Sequence, residues 1–188
     1  LIQGPPGTGK TLTIAHIIEQ LALSGKKVII GCYTHRAVDE VIKKLKTHSK
    51  LEFPVYRLGE STSEEINEFS IEKIVNDNKT IDSKVQKANS IFSDSAVYIA
   101  TTHKWLSGGF DTLIKKYGKY DVAIIDEASQ VIIPNAIGTI RLAKKFILVG
   151  DHKQLPPVIQ SEQAKDLSNT LFEELYKNDS ACESTKVM

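Results

Sequence analysis

The sequence is poor in the features that usually mark a function by composition alone. It has two cysteines, Cys32 and Cys182, far apart and in no CxxC pair or His/Cys cluster. That spacing argues against a disulfide scaffold and against a zinc or iron–sulfur centre within this stretch, and it suits a reducing compartment, cytoplasm or nucleus. There is no strong charge of either sign: 24 basic and 23 acidic side chains leave a net charge of +1. No overall basic field announces a nucleic-acid partner, so any such partner must be held by a local patch. No apolar run approaches the roughly 18 residues that span a bilayer, so no membrane association is expected. No secretion signal is visible, and the chain opens at Leu1, without a Met, directly on a motif. It reads as a piece of something longer.

What is present fits one globular domain over residues 1–188, with 41% hydrophobic and 25% charged residues. Short β-branched runs alternate with helical patterns, which predicts an α/β fold: a parallel sheet flanked by helices. The strand candidates are Val28–Tyr33, Val55–Leu58, Val97–Thr101, Val122–Asp126 and Phe146–Val149, with Leu1-Ile2 as the end of another. Their near-continuous Val/Ile content suits strands covered on both faces. Helices are expected over Lys10–Leu23, Arg36–Lys46 and Val131–Ala143, the last starting late because of Pro134. On the second helix, Asp39–Lys43 and Glu40–Lys44 form i,i+4 pairs on the solvent side.

Residues 61–95 differ, with 11 charged side chains among 35. Ile66, Phe69 and Ile74, then Ile81, Val85, Ala88 and Phe92, fall at helical spacing around an Asn76-Asp77-Asn78 turn. A helical hairpin inserted between two strands is expected; a solvated connector is the alternative.

Three segments carry chemistry. Gly4-Pro5-Pro6-Gly7-Thr8-Gly9-Lys10-Thr11 follows a strand end and opens a helix. Polyphosphate needs donors with no side chains in the way; glycines turn backbone N–H groups inward, and the helix N-terminus adds partial positive charge. This predicts an ATP site in which Lys10 reaches the β- and γ-phosphates and Thr11 ligates Mg²⁺. Next, Ile124-Ile125-Asp126-Glu127 is a buried strand emptying into two carboxylates at the sheet edge where α/β folds bind ligands. Asp126 is expected in the Mg²⁺ shell and Glu127 against the attacking water. Last, Phe146–Val149 empties into Gly150-Asp151-His152-Lys153-Gln154-Leu155-Pro156-Pro157, where Gln154 is placed to hydrogen-bond the γ-phosphate or its water.

These segments together resemble the superfamily 1 helicases, specifically the group that holds the nonsense-mediated-decay helicase and the replication helicase/nuclease. GPPGTGKT at Gly4–Thr11 with Gln3 before it, DEASQ at Asp126–Gln130 and GDHKQLPP at Gly150–Pro157 appear in the family's order. Tyr33-Thr34-His35-Arg36-Ala37-Val38-Asp39 and Ala100-Thr101-Thr102 match two further motifs, and the YTH-x-AVD spelling leans toward the helicase/nuclease type.

The resemblance implies a P-loop NTPase domain of RecA-like fold. Its nucleotide site would use Gln3, Gly4, Pro6, Gly7, Thr8, Gly9, Lys10 and Thr11 with Asp126, Glu127 and Gln154. It further implies a single-stranded DNA or RNA partner gripped through phosphates by Thr34, His35, Arg36, Thr101 and Thr102. For Thr34 to Arg36 a helix N-cap is the alternative reading, compatible with the first. The family's second RecA-like domain, bearing arginine fingers, is expected beyond Met188. Read from the residues alone, a P-loop ATPase without unwinding activity and a non-catalytic ATP-dependent clamp stay open. Trp105 is expected in the core rather than as a base-stacking platform.

Overall fold

The computed structural model describes residues 1–59, 61–154, 157 and 169–178. Cys182, Leu155 and Pro156 lie outside the described residues. Six parallel strands form one sheet in the order β1-β6-β5-β2-β4-β3. They are β1 (Ile2–Gln3), β2 (Val28–Cys32), β3 (Val55–Arg57), β4 (Val97–Thr101), β5 (Tyr120–Ile125) and β6 (Ala143–Gly150). The continuous apolar spelling has the expected cause. In β2, Val28, Ile30 and Cys32 join one core while Ile29 joins the other, and β4 and β5 divide in the same way.

Helices α1 (Lys10–Leu23) and α2 (His35–His48) cover the first face with Ile14, Ile18, Val38, Val41, Ile42 and Leu45. On the other face lie α6 (Thr102–Ser107), α7 (Phe110–Tyr117) and α8 (Ile133–Ile140). Trp105 is fully buried there, its indole N–H donating to the Ile30 carbonyl at 2.8 Å. α8 starts later than its apolar pattern and carries Pro134 in its first turn, where no amide hydrogen is needed. The stretch after it, expected to remain helical to Ala143, instead opens β6 three residues before Phe146. A last helix, α9 (Leu171–Asn178), packs Phe172 against the end of β6.

The insertion is helical, but its first arm is broken into α3 (Glu64–Asn67) and α4 (Ile71–Asn76), followed by α5 (Ile81–Ser93). The break serves the sheet edge. Arg57 donates its backbone N–H to Phe69 at 2.7 Å, and Ser70 bridges to Arg57, so the insertion pairs with edge strand β3. Ile66 and Phe69 then join one core, while Ile71, Ile74, Ile91 and Phe92 join the other. The expected apolar stripe of α5 is only half used: Ile81 and Val85 are exposed. The helix touches the sheet through its last turn alone, where Phe92 stacks on Tyr98.

Candidate functional site

The described motif residues gather at the C-terminal edge of the sheet. After β1, the Gly4 N–H donates to the Gly150 carbonyl at 3.1 Å, tying the glycine loop to the end of β6. A Cβ on Gly4 would stand 2.7 Å from Thr8 Oγ1, so the loop closes only over glycine. Gly7 and Gly9 hold φ of +80° and +83°, a region open to glycine at little cost. Thr8 Oγ1 donates to the Pro5 carbonyl at 2.7 Å, and Lys10 Nζ donates to the Gly4 and Pro5 carbonyls at 2.8 and 3.2 Å. Thr11 follows, half-buried, in the first turn. α1 has neither a capping side chain nor an acidic residue in that turn. Its free amide donors, the glycine turns and the Lys10 ammonium form a cradle suited to a polyphosphate.

The carboxylates stand one strand away, β6 lying between β1 and β5. Asp126 donates its N–H to the Gly31 carbonyl at 3.0 Å, which fixes it just past β5; the strand ends at Ile125, one residue short of the expected end. It is 6% exposed. Burial pushes its carboxyl up to about 6; the Glu127 N–H on Oδ1 at 2.9 Å and the Lys10 charge oppose this, and the Glu127 carboxylate adds to it. Glu127 has φ +51°, left-handed backbone that a non-glycine residue adopts at a cost. The Thr11 hydroxyl and Asp126 carboxylate are oxygen donors of the kind a hard divalent cation takes.

Gln154 is half-buried, its Oε1 accepting from Gln130 Nε2 at 3.2 Å. Gln3 uses both ends of its amide inside the protein: Nε2 donates to Asp151 at 2.8 Å, and Oε1 accepts from the His152 N–H at 3.3 Å. Asp151 was not among the expected site residues, yet it is as deeply buried as Asp126. Burial pushes its carboxyl up, but the Lys153 N–H, the Gln3 amide and the Lys10 and His152 charges together hold it below the usual range. The signal was available. Leu148-Val149-Gly150-Asp151 is a buried strand running into a carboxylate, as Ile124-Ile125-Asp126 is.

The remaining candidates cluster at the ends of β2, β4 and β3. Thr34 caps α2, its Oγ1 accepting from the Ala37 N–H at 3.1 Å, with His35 and Arg36 exposed in the first turn. Thr101 caps α6 by accepting from the Lys104 N–H at 3.2 Å. Thr102 departs from the expected track. It is 1% exposed, and its methyl packs over Gly31, where a Cβ would come within 3.0 Å. As the first residue of α6 it faces the sheet, not solvent.

A groove of about 860 Å³ opens beside these residues, lined by His35, Arg36, Lys43, Arg57 and Lys104 among others. Its floor is an ion pair unforeseen in the sequence. Arg57 is fully buried, with Nε donating to Asp39 Oδ1 at 2.9 Å, Nη1 to the Gly59 carbonyl, and Nη2 lying 3.4 Å from His35 Nδ1. Asp39 also accepts from Ser61 at 2.8 Å, so it turns inward rather than along α2 to Lys43.

The family model described as an AAA domain matches residues 1–105 and 76–162. The chain is 38% identical over 185 residues to the DNA replication ATP-dependent helicase/nuclease DNA2 of Xenopus laevis, covering 96% of this chain and 17% of that protein. It is 38% identical over 180 residues to the protein of the same name in Saccharomyces cerevisiae, covering 92% of this chain and 11% of that one. The chain thus spans less than a fifth of the length of the curated relatives it matches. Among solved structures, the UvsW helicase from bacteriophage T4 aligns with TM-score 0.52 and 13% identity, over 80% of this chain and 46% of that one. The Type ISP restriction-modification enzyme LlaGI, in complex with a DNA substrate mimic, aligns with TM-score 0.50 and 15% identity, over 95% and 18%. These two likenesses concern the fold.

Proposed function

The chain belongs to the AAA domain family whose model it matches, and on that premise we propose that it is the ATP-binding and hydrolysing motor domain of a nucleic-acid helicase. The observation that carries this reading is the meeting, across β6, of an uncapped glycine-loop helix bearing Lys10 and a buried carboxylate, Asp126, already within reach of the Lys10 charge. In this reading the backbone of Gly4, Pro6, Gly7, Thr8 and Gly9 wraps the phosphates of ATP. Lys10 holds the β- and γ-phosphates, and Gln3 braces the loop from behind. Thr11 and Asp126 hold Mg²⁺, which when bound neutralises charge on the phosphate oxygens. Glu127 orients and polarises water, and Gln154 reads the γ-phosphate.

Thr34, His35 and Arg36 line the path of a single strand gripped by its phosphates, with Thr101, itself only 7% exposed, at its edge. The relatives are named for DNA replication, which favours DNA over RNA as that strand. A second RecA-like domain supplies the opposing arginines and closes on this one around ATP, as unwinding requires. A motor of this kind works in the cytoplasm or nucleus.

Two substitutions test the reading. Lys10→Ala removes a charge-assisted phosphate contact and should cost about 1.5–3 kcal/mol of ATP affinity by calorimetry. Glu127→Gln keeps shape and deletes basicity, so ATP binding persists while turnover is lost. Unchanged affinity in the first variant overturns the site. Unchanged turnover in the second, measured with the partner domain attached, places the water-activating group elsewhere.

A further inference from the structure

On the face of the molecule covered by α1 and α2 lies a cluster that the nucleotide reading does not use. His16 and Glu19 stand one helical turn apart on α1, and His48 is the last residue of α2 beside them. His48 Nε2 lies 2.9 Å from His16 Nδ1 and 3.9 Å from Glu19 Oε2. The ligand atoms of the three all fall within 4.8 Å of one another. We propose that His16, Glu19 and His48 form a binding site for a borderline divalent cation of the zinc class, distinct from the oxygen-lined nucleotide site.

The chemistry selects the ion. Two imidazoles and one carboxylate suit Zn²⁺, Co²⁺, Ni²⁺ or Cu²⁺, whereas Mg²⁺ and Ca²⁺ prefer all-oxygen shells. Two nitrogens bound at about 2.0–2.1 Å to one ion stand roughly 3 Å apart at near-right angles and at most about 4.2 Å apart. The His–His spacing and the His48–Glu19 spacing both fall inside that range. Glu19 has three rotatable side-chain bonds with which to shorten its remaining distance to His16.

The backbones beneath are fixed. Ile14, Ile18, Val41 and Leu45 pack the two helices over one core, so the ligands are carried on rigid elements. An open cavity of about 270 Å³, lined by Glu19, His48 and Glu52 among others, leaves room for a water or a further oxygen ligand. A hydrogen bond between two neutral imidazoles also produces the 2.9 Å contact, and the test separates the two. An ion here would pin the far end of α1, the helix that begins at the phosphate loop, to the end of α2.

The experiment is a calorimetric titration of the tag-free, chelator-washed chain with Zn²⁺ in excess Mg²⁺, where Mg²⁺ occupies any oxygen site. One saturable Zn²⁺ per chain is expected, and Cys182→Ser should leave it intact. His16→Gln and His48→Gln should each weaken it at least tenfold, since even outer-shell changes cost about 10–100-fold. Glu19→Gln should also weaken it. Co²⁺ should give visible absorption bands that His48→Gln abolishes. These ligands are at the surface, so circular dichroism should show the variants folded. No saturable binding, or His variants that bind Zn²⁺ as the unmodified chain does, overturns the proposal. The outcome is independent of ATP binding, so it stands or falls apart from the motor reading.

Discussion

At the ends of β1, β6 and β5, the polar groups are backbone donors, one ammonium resting on carbonyl oxygens, and two buried carboxylates; at the ends of β2, β4 and β3, they are side chains closed into a network around Arg57. The first half holds charge that the protein itself leaves poorly compensated. Asp126 receives one N–H and has a second carboxylate beside it. Asp151, just past the neighbouring strand, receives the Gln3 amide and the Lys153 N–H, and its carboxyl shifts the other way. Two carboxylates are thus pushed apart by their surroundings: Asp126 accepts from the next residue's N–H, whereas Asp151 bolts β1 to the β6 loop. The floor of the second half is built like Asp151, beneath exposed His35 and Arg36. Stability and readiness are thus divided along one sheet edge, and substitutions on its two sides should differ in sign as well as size.

The largest effect belongs to the closed half. Asp39→Ala leaves the fully buried Arg57 guanidinium without its carboxylate and frees Ser61. Removing one partner of a buried pair costs about 3–5 kcal/mol, a large share of the roughly 5–15 kcal/mol that holds a domain. Urea denaturation at neutral pH measures it. A loss under about 1 kcal/mol, the range of exposed pairs, would erase the contrast drawn here.

The next effect should run in the opposite direction. In the fold, burial disfavours ionised Asp126, so its carboxyl titrates near 6 rather than in the ordinary range. The penalty is absent at acidic pH where the group is protonated in both folded and unfolded chains. It appears as pH rises through the unfolded value and is complete above the folded one. The shift corresponds to roughly 3 kcal/mol. Asp126→Asn keeps an oxygen for the Glu127 N–H and removes the charge, so it should stabilise the metal-free protein by up to about that much at pH 7.5. The gain should vanish near pH 4. Equal denaturation midpoints for the two proteins at pH 7.5 would mean Asp126 is already compensated.

The two halves also differ in how far they can be read from sequence. The phosphate half is spelled in contiguous segments, since a glycine loop and a strand emptying into Asp126-Glu127 each place several site residues through local backbone alone. The network around Arg57 draws on β3, α2 and the insertion, so no window of sequence contains it. Asp39 shows the limit: its spacing to Lys43 predicts an exposed helix pair, while a buried guanidinium 18 residues away claims it. Thr102 failed for a related reason, because which side of a new helix meets the sheet is settled by packing over Gly31. In α5, period alone gave Ile81 and Val85 a core that only the last turn reaches. Strands were legible where both faces are buried and the apolar run is unbroken; β6 was read only from Phe146, because Lys144 and Lys145 interrupt the run at its exposed start.

The smallest effect divides the second half within one helix. Arg36 and Asp39 lie one turn apart on α2, but Arg36 is exposed at the groove while Asp39 holds Arg57 beneath it. Arg36→Ala should therefore leave stability within about 0.5 kcal/mol, as exposed positions do. Its consequence should appear only against a single strand. A side chain that meets a phosphate releases counterions on binding, and each such contact contributes about 0.7 to the slope of log affinity against log salt. Anisotropy titrations of labelled single-stranded DNA across a salt series should give a slope shallower by that amount, equally for unrelated sequences, because phosphate contacts position without specifying. Thr34 keeps its bond to the Ala37 N–H in the variant, so the helix start is retained and the change cannot be assigned to fraying. An unchanged slope with unchanged stability would make Arg36 a solvated helix residue and would move the strand track toward Lys43 and Lys104 on the other walls of the groove.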